Sequence, residues 1–139
     1  MKRVHFFIQM VLMVTVLGLA ACGPKTTITT EKINPSTLED IEGSELKRVI
    51  LTEKAAERIG VQTVPVSGMV VPYAALIYDI EGNTWIYTSP SPLTFVREPV
   101  VIARIEGDQA FLSYALESDA PIVTVGVAEI YGAETGVSK

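Results

Sequence analysis

The sequence predicts a mostly β domain: a small antiparallel β-barrel or sandwich of six to seven strands with one short helix. Three observations lead there. Of the 118 residues after Ala21, 37 are Val, Ile or Thr, whose branched side chains pack well on a pleated surface. Turn residues recur about every 8–12 positions, the spacing of small β folds. Between those turns, apolar and polar residues tend to alternate with the two-residue period of a strand.

The elements follow in order. Lys47–Leu51 reads as a short strand. Thr52 is placed to cap a helix, because Glu53, Lys54, Ala55, Ala56, Glu57 and Arg58 are mostly good helix formers and Gly60 can end it. Val61–Val66 resumes strand, Ser67-Gly68 breaks it, and Pro72 marks an edge or a strand entry. Ala74–Ile80 is expected to turn at Glu81-Gly82-Asn83 into Thr84–Thr88, a hairpin with Trp85 and Tyr87 on one face and Ile86 on the other. Pro90 and Pro92 mark a loop. Phe95–Ile105 reads as a long strand interrupted at Pro99, returning through Glu106-Gly107-Asp108 into Gln109–Tyr114. Ala115–Pro121 is loop-like, Ile122–Val127 the last strand, and Ala128–Tyr131 a helical turn. A frayed end follows, with 133–139 expected to be a flexible tail.

The first 45 residues have another character. Lys2 and Arg3 precede an almost unbroken apolar run, Phe6–Leu17, and then the small residues Gly18, Ala20 and Ala21. This layout is that of a secretory signal peptide over 1–21, and the run is short of the ~20 residues that span a bilayer. Leu19-Ala20-Ala21-Cys22 resembles the lipobox of bacterial lipoproteins, which implies that Cys22 becomes an acylated N-terminus. Several acyl chains, at about 0.8 kcal/mol per buried CH₂, would hold the exported chain at a membrane without crossing it. Gly23 after the Cys, in place of an Asp, leans toward the outer membrane of a Gram-negative cell, with the domain facing the periplasm. The stretch 23–45 is polar and Thr-rich, carries Glu39, Asp40, Glu42 and Glu45, and reads as a flexible linker.

Composition removes many chemistries. The only His is His5 and the only Cys is Cys22. Beyond Cys22 there is no material for a Ser-His-Asp or Cys-His apparatus, a Cys/His zinc site or an internal disulfide. Met69 is the only methionine after residue 13, which speaks against a thioether copper site. Without Lys2 and Arg3, nine basic residues face sixteen acidic ones, so nucleic acid is excluded as a natural partner. No cofactor is implied.

Two segments carry a family resemblance. The first, Val49-Ile50-Leu51-Thr52 through Ile59-Gly60-Val61-Gln62-Thr63-Val64-Pro65-Val66, resembles the opening of mature periplasmic adaptor (membrane-fusion) subunits of RND-type efflux pumps. The second runs from Val71-Pro72-Tyr73-Ala74-Ala75-Leu76 through Gly82-Asn83-Thr84-Trp85-Ile86-Tyr87, Phe95-Val96-Arg97 and Gly107-Asp108 to Ile122-Val123-Thr124-Val125-Gly126 and Glu129-Ile130-Tyr131-Gly132. It is similar to the adaptors' closing segment. In such adaptors the two segments meet in the membrane-proximal domain. The resemblance therefore implies that domain alone over 46–132, without barrel, lipoyl or hairpin modules. One departure lies at Tyr114–Val123, where two glycines of the family pattern are replaced.

The site candidates are correspondingly few. Cys22 is the lipidation site, and membrane lipid is its expected partner. Trp85, Tyr87 and Arg97 form the candidate partner or ligand surface, against the plainer expectation of cross-strand packing for the aromatics and an ion pair for Arg97, with Glu98 as one available mate. Asp79, Glu81, Glu106, Asp108 and Asp119 could supply carboxylates for acid–base work, but all sit at expected turns, where such residues are common anyway. The leading expectation is a non-enzymatic, lipid-anchored accessory module of an efflux system, bound to an RND-type inner-membrane transporter or to full-length adaptor subunits. A small-ligand-binding lipoprotein unrelated to transport is the alternative.

Overall fold

The computed structural model describes residues 34–66 and 68–136, all within one unit spanning 33–139. The signal segment, Cys22 and the first part of the expected linker lie outside the described residues. Ten strands form two antiparallel sheets. The larger is built from β1 (Ser36–Asp40), β2 (Lys47–Leu51), β3 (Gln62–Val64), β5 (Ile77–Tyr78), β6 (Thr84–Ser91), β7 (Thr94–Pro99) and β10 (Ile122–Val125). Its order is β1-β2-β7-β6-β10-β3, with β5 paired to β6. The smaller contains β4 (Val70–Pro72), β8 (Ile102–Glu106) and β9 (Gln109–Leu112), in the order β4-β9-β8. The sandwich form of the expected fold is the one observed; the large sheet stays open and no barrel closes. Among the described residues two helices accompany the sheets: α1 (Glu53–Ile59), the short helix expected, and α2 (Val127–Thr135).

The large sheet is the middle layer, and alternation along its strands shows why. Tyr87 and Val123 join Val49, Leu51, Phe95, Ala55, Val127 and Ile130 in one buried cluster, under the two helices. Their chain neighbours Ile86 and Ile122 point the other way, into a second cluster with Val71, Ala75, Ala110 and Leu112 of the small-sheet side. Successive strand residues face opposite sides of a sheet, so β6 and β10 contribute to both cores. Ile86, Tyr87 and Thr88 are accordingly all buried.

Local signals explain the ends. Thr52 Oγ1 accepts the Ala55 N–H at 3.2 Å, and Gly60 closes α1 in the left-handed region at φ 70, as expected of a cap and a stop. Gly107 turns β8 into β9 at φ 60. Pro99 ends β7, and the chain crosses from the large sheet to the small one through Val100, whose N–H donates to the Thr84 carbonyl at 2.9 Å. The expected single strand Phe95–Ile105 is thus two strands in different sheets.

Four further expectations are corrected. Ser36–Asp40 is a strand and not linker: it pairs with all of β2, with Glu39 opposite Arg48 and Asp40 opposite Lys47. Those pairs carry ion pairs at 3.2 and 2.9 Å, so two of the four acidic residues are matched across the sheet. Tyr73–Ala75 is a single 3-10 turn, leaving only Ile77–Tyr78 of the expected Ala74–Ile80 strand. Pro90 lies within β6 and not in a loop. The helical turn at Ala128–Tyr131 is a helix of nine residues, and the first part of the expected tail is its last turn, capped by Gly136 at φ 76. The two segments read as an opening and a closing piece do pair, β2 with β7 and β3 with β10.

Candidate functional site

Register brings the three candidate residues together. Tyr87 on β6 stands directly opposite Arg97 on β7, and Trp85 stands opposite Pro99, two places along the same face. Above them lies the last turn of α2. Glu134 from that turn accepts the Tyr87 hydroxyl hydrogen with one carboxylate oxygen and meets Arg97 Nη2 at 3.3 Å with the other. The Arg97 guanidinium carbon sits 4.4 Å from the centre of the Trp85 ring and 5.5 Å from that of Tyr131, both within cation–π range. The Arg97 and Glu134 side chains are only 14% and 5% exposed.

This is a sealed arrangement. Tyr87 is completely buried, so it presents no surface to a partner, contrary to the expectation for that residue; α2 covers it. Burial, and then the hydrogen bond to Glu134, drives its phenol well above the usual tyrosine range, so the hydroxyl remains a donor. Arg97 also departs from expectation in its mate, which is Glu134 and not Glu98. Glu98 instead accepts the Glu117 N–H at 2.7 Å. Each oxygen of the Glu134 carboxylate is engaged by one member of the cluster, the Tyr87 hydroxyl or Arg97. The cluster acts as a strap fastening α2 to the sheet. Sequence reading missed Glu134 because it fell in the expected tail.

Trp85 alone of the three reaches an open space. Its indole N–H donates to Asp79 Oδ2 at 2.9 Å. Asp79 Oδ1 also accepts the N–H groups of Glu81 and Asn83, each at 2.9 Å, in an Asx-type turn. The hydrogen bond from the Asn83 amide, followed by that from Trp85, holds the Asp79 carboxyl at about 2, below its ordinary 3.8. Asp79 is therefore a turn organiser that orients Trp85. Beside the tryptophan lies an open groove of about 730 Å³ between the β5–β6 hairpin and the β7–β8 crossing, lined by Tyr78, Thr84, Trp85, Pro99, Val101 and Ile105. Tyr78, Val101 and Ile105 are each about half exposed, so the groove is an apolar surface open to solvent.

No family model, curated protein or solved structure matches the chain. The site is therefore judged on its chemistry. Of the other acidic candidates, Glu81 shares the Asn83 amide with Asp79, accepting from it at 3.3 Å within the same exposed turn, Glu106 pairs with Arg104 at 2.6 Å, and Asp108 occupies the β8–β9 turn. Among the described residues, no group of three His, Cys, Asp or Glu side chains is arranged to hold a metal ion. Nor is any helix among them long and apolar enough to cross a membrane. Cys22 lies outside the described residues.

Proposed function

We propose that this chain is an exported, lipid-anchored, non-enzymatic accessory module of an RND-type efflux system, held at the membrane through Cys22. The observation that supports it most is the pairing of the two adaptor-like segments: β2 joins β7 and β3 joins β10 in a single unit. Those segments are distant in a full adaptor chain, so their resemblance has a functional meaning only if they form one domain together. The groove beside Trp85 supplies the contact surface, where a transporter or adaptor subunit places an apolar side chain between Tyr78 and Val101. Polar residues such as Asn83 and Thr84 at the same groove suit a reversible protein contact.

The reading is tested by purifying the complete transport complex from membranes of cells with and without this chain. Co-purification with the transporter, and fatty-acid label on the wild-type chain but not on Cys22→Ser, are the expected results. A pump complex unchanged in composition and export rate after deletion would contradict it.

A second reading draws on the groove's size, which falls within the roughly 300–1,000 Å³ usual for small-ligand sites. In that reading the lipoprotein binds an aromatic or apolar small molecule against Trp85. A ligand that raises the melting temperature of the wild-type chain but not of Trp85→Ala would favour it over the transport reading.

A further inference from the structure

Among the described residues, five strands have a neighbour on one side only: β1, β3 and β5 in the large sheet, β4 and β8 in the small one. An open edge is a template for another strand, and proteins usually blunt it with short length, proline or like charges. Four of the five offer little to a second strand, and β5 has only two residues. β3 has three residues and runs into Pro65, and β4 has three and ends on Pro72, which lacks an N–H. β1 follows Pro35 directly, and its last two side chains, Glu39 and Asp40, are already engaged by Arg48 and Lys47. β8 has five residues without proline, Ile102-Ala103-Arg104-Ile105-Glu106, the last four exposed, and its bulge between Ile102 and Arg104 leaves Arg104, Ile105 and Glu106 in regular pairing.

The outward-facing backbone of β8 can be located. On β9, the Leu112 N–H donates to Met69 and the Asp108 carbonyl accepts from Tyr73, both on the β4 side. Strand alternation then turns Gln109 and Phe111 toward β8, where they stand opposite Glu106 and Arg104. The intervening residue, Ile105, directs its own N–H and carbonyl to the free edge. In an antiparallel pair, a residue facing its own symmetry mate exchanges both hydrogen bonds with it.

The side chains fit that axis. With Ile105 opposite Ile105 of a second copy, Arg104 of each chain stands opposite Glu106 of the other. The charges along the edge alternate in sign, so a copy running antiparallel is attracted where a parallel one would meet like charges. Only Nε of Arg104 is used in the pair with its own Glu106, while the guanidinium rests 3.7 Å from the Phe111 ring centre; its terminal nitrogens remain available to a second carboxylate. Ile105, 46% exposed, lies on the opposite face beside the groove, where its symmetry mate would cover it.

We infer that the chain forms a two-fold dimer by antiparallel pairing of β8 with β8 of a second copy, joining two three-stranded sheets into one of six. The inference does not rest on the transport reading, although the second copy would cover Ile105 at one rim of the groove. It is tested by sedimentation velocity on the full chain in detergent micelles, over a concentration series, for wild type, Arg104→Glu, Glu106→Arg and the double charge swap. The wild type should dimerise with rising concentration. Each single reversal sets like charges opposite one another twice and should weaken association by roughly tenfold or more. The double swap should restore it. Thermal unfolding monitored by circular dichroism establishes that each variant is folded. A wild type that stays monomeric, single reversals that dimerise as well as wild type, or a folded double swap that remains monomeric would each overturn the inference.

Discussion

Tyr87 and Glu134 are 47 positions apart in the chain and joined by a hydrogen bond in the interior. Through that bond, and the contact of the same carboxylate with Arg97, the last turn of α2 is fixed to the middle of the large sheet. Removing the carboxylate leaves a largely buried guanidinium without its counter-charge, and breaking a buried pair from one side costs about 3–5 kcal/mol. Glu134→Ala should therefore destabilise the domain by that order. Tyr87→Phe, which leaves the ion pair intact, should cost about 1–3 kcal/mol. Urea unfolding of both variants checks the ranking, and equal losses would count against the strap.

Asp79 gives the domain an acid-sensitive component. Its carboxyl titrates at about 2 in the folded chain and 3.8 when unperturbed, so the ionised form is the one folding favours. That contribution is complete above pH 3.8 and is lost as the pH falls toward 2. Asp79→Asn removes it. The urea midpoint of the variant should then fall less steeply than that of wild type on acidification through this window. Parallel curves would show that the carboxylate is not held as described.

Gly126 begins α2 at φ 90, and a Cβ there would stand 2.6 Å from Ile59 Cγ2 and 3.1 Å from Val61 Cγ2. Gly82, at φ 86, has nothing within 4 Å of the same position. Both alanine variants bear the strain of a left-handed residue, about 1–2 kcal/mol. Only Gly126→Ala also presses on the end of α1, where overpacking adds roughly 1–3 kcal/mol. Thermal unfolding should rank Gly126→Ala as clearly the more damaging.

The elements read correctly from sequence were those with local chemistry to announce them. The Thr52 cap, the Gly60 stop, and the turns at Gly82 and Gly107 each depend on residues a few positions apart, so the sequence displays them directly. The elements missed depend on partners far along the chain. Ser36–Asp40 has no apolar period of its own and is a strand because β2 lies beside it; the usable signal was the acid pair Glu39 and Asp40 preceding the basic pair Lys47 and Arg48 across a glycine. The second half of α2 contains Gly132 and Thr135, weak helix formers, and is held by Tyr87 and Arg97 on strands that local propensity does not register. For the same reason Trp85, Tyr87 and Arg97 could be grouped from the hairpin pattern, whereas their division into one groove residue and two buried ones could not. That division follows from the helix above them.

On the proposed function, the groove beside Trp85 contacts a transport subunit while lipid on Cys22 holds the domain at the membrane. The most direct measurement is in-cell photocross-linking from a reactive residue in place of Tyr78, with mass-spectrometric identification of the adduct, in chains that keep Cys22 and in chains that also carry Cys22→Ser. An adduct with an RND-type transporter or adaptor subunit, strong when Cys22 is present and lost in the Cys22→Ser chain, is the predicted result. Absence of any such adduct from a chain that is acylated and folded would overturn the proposed function.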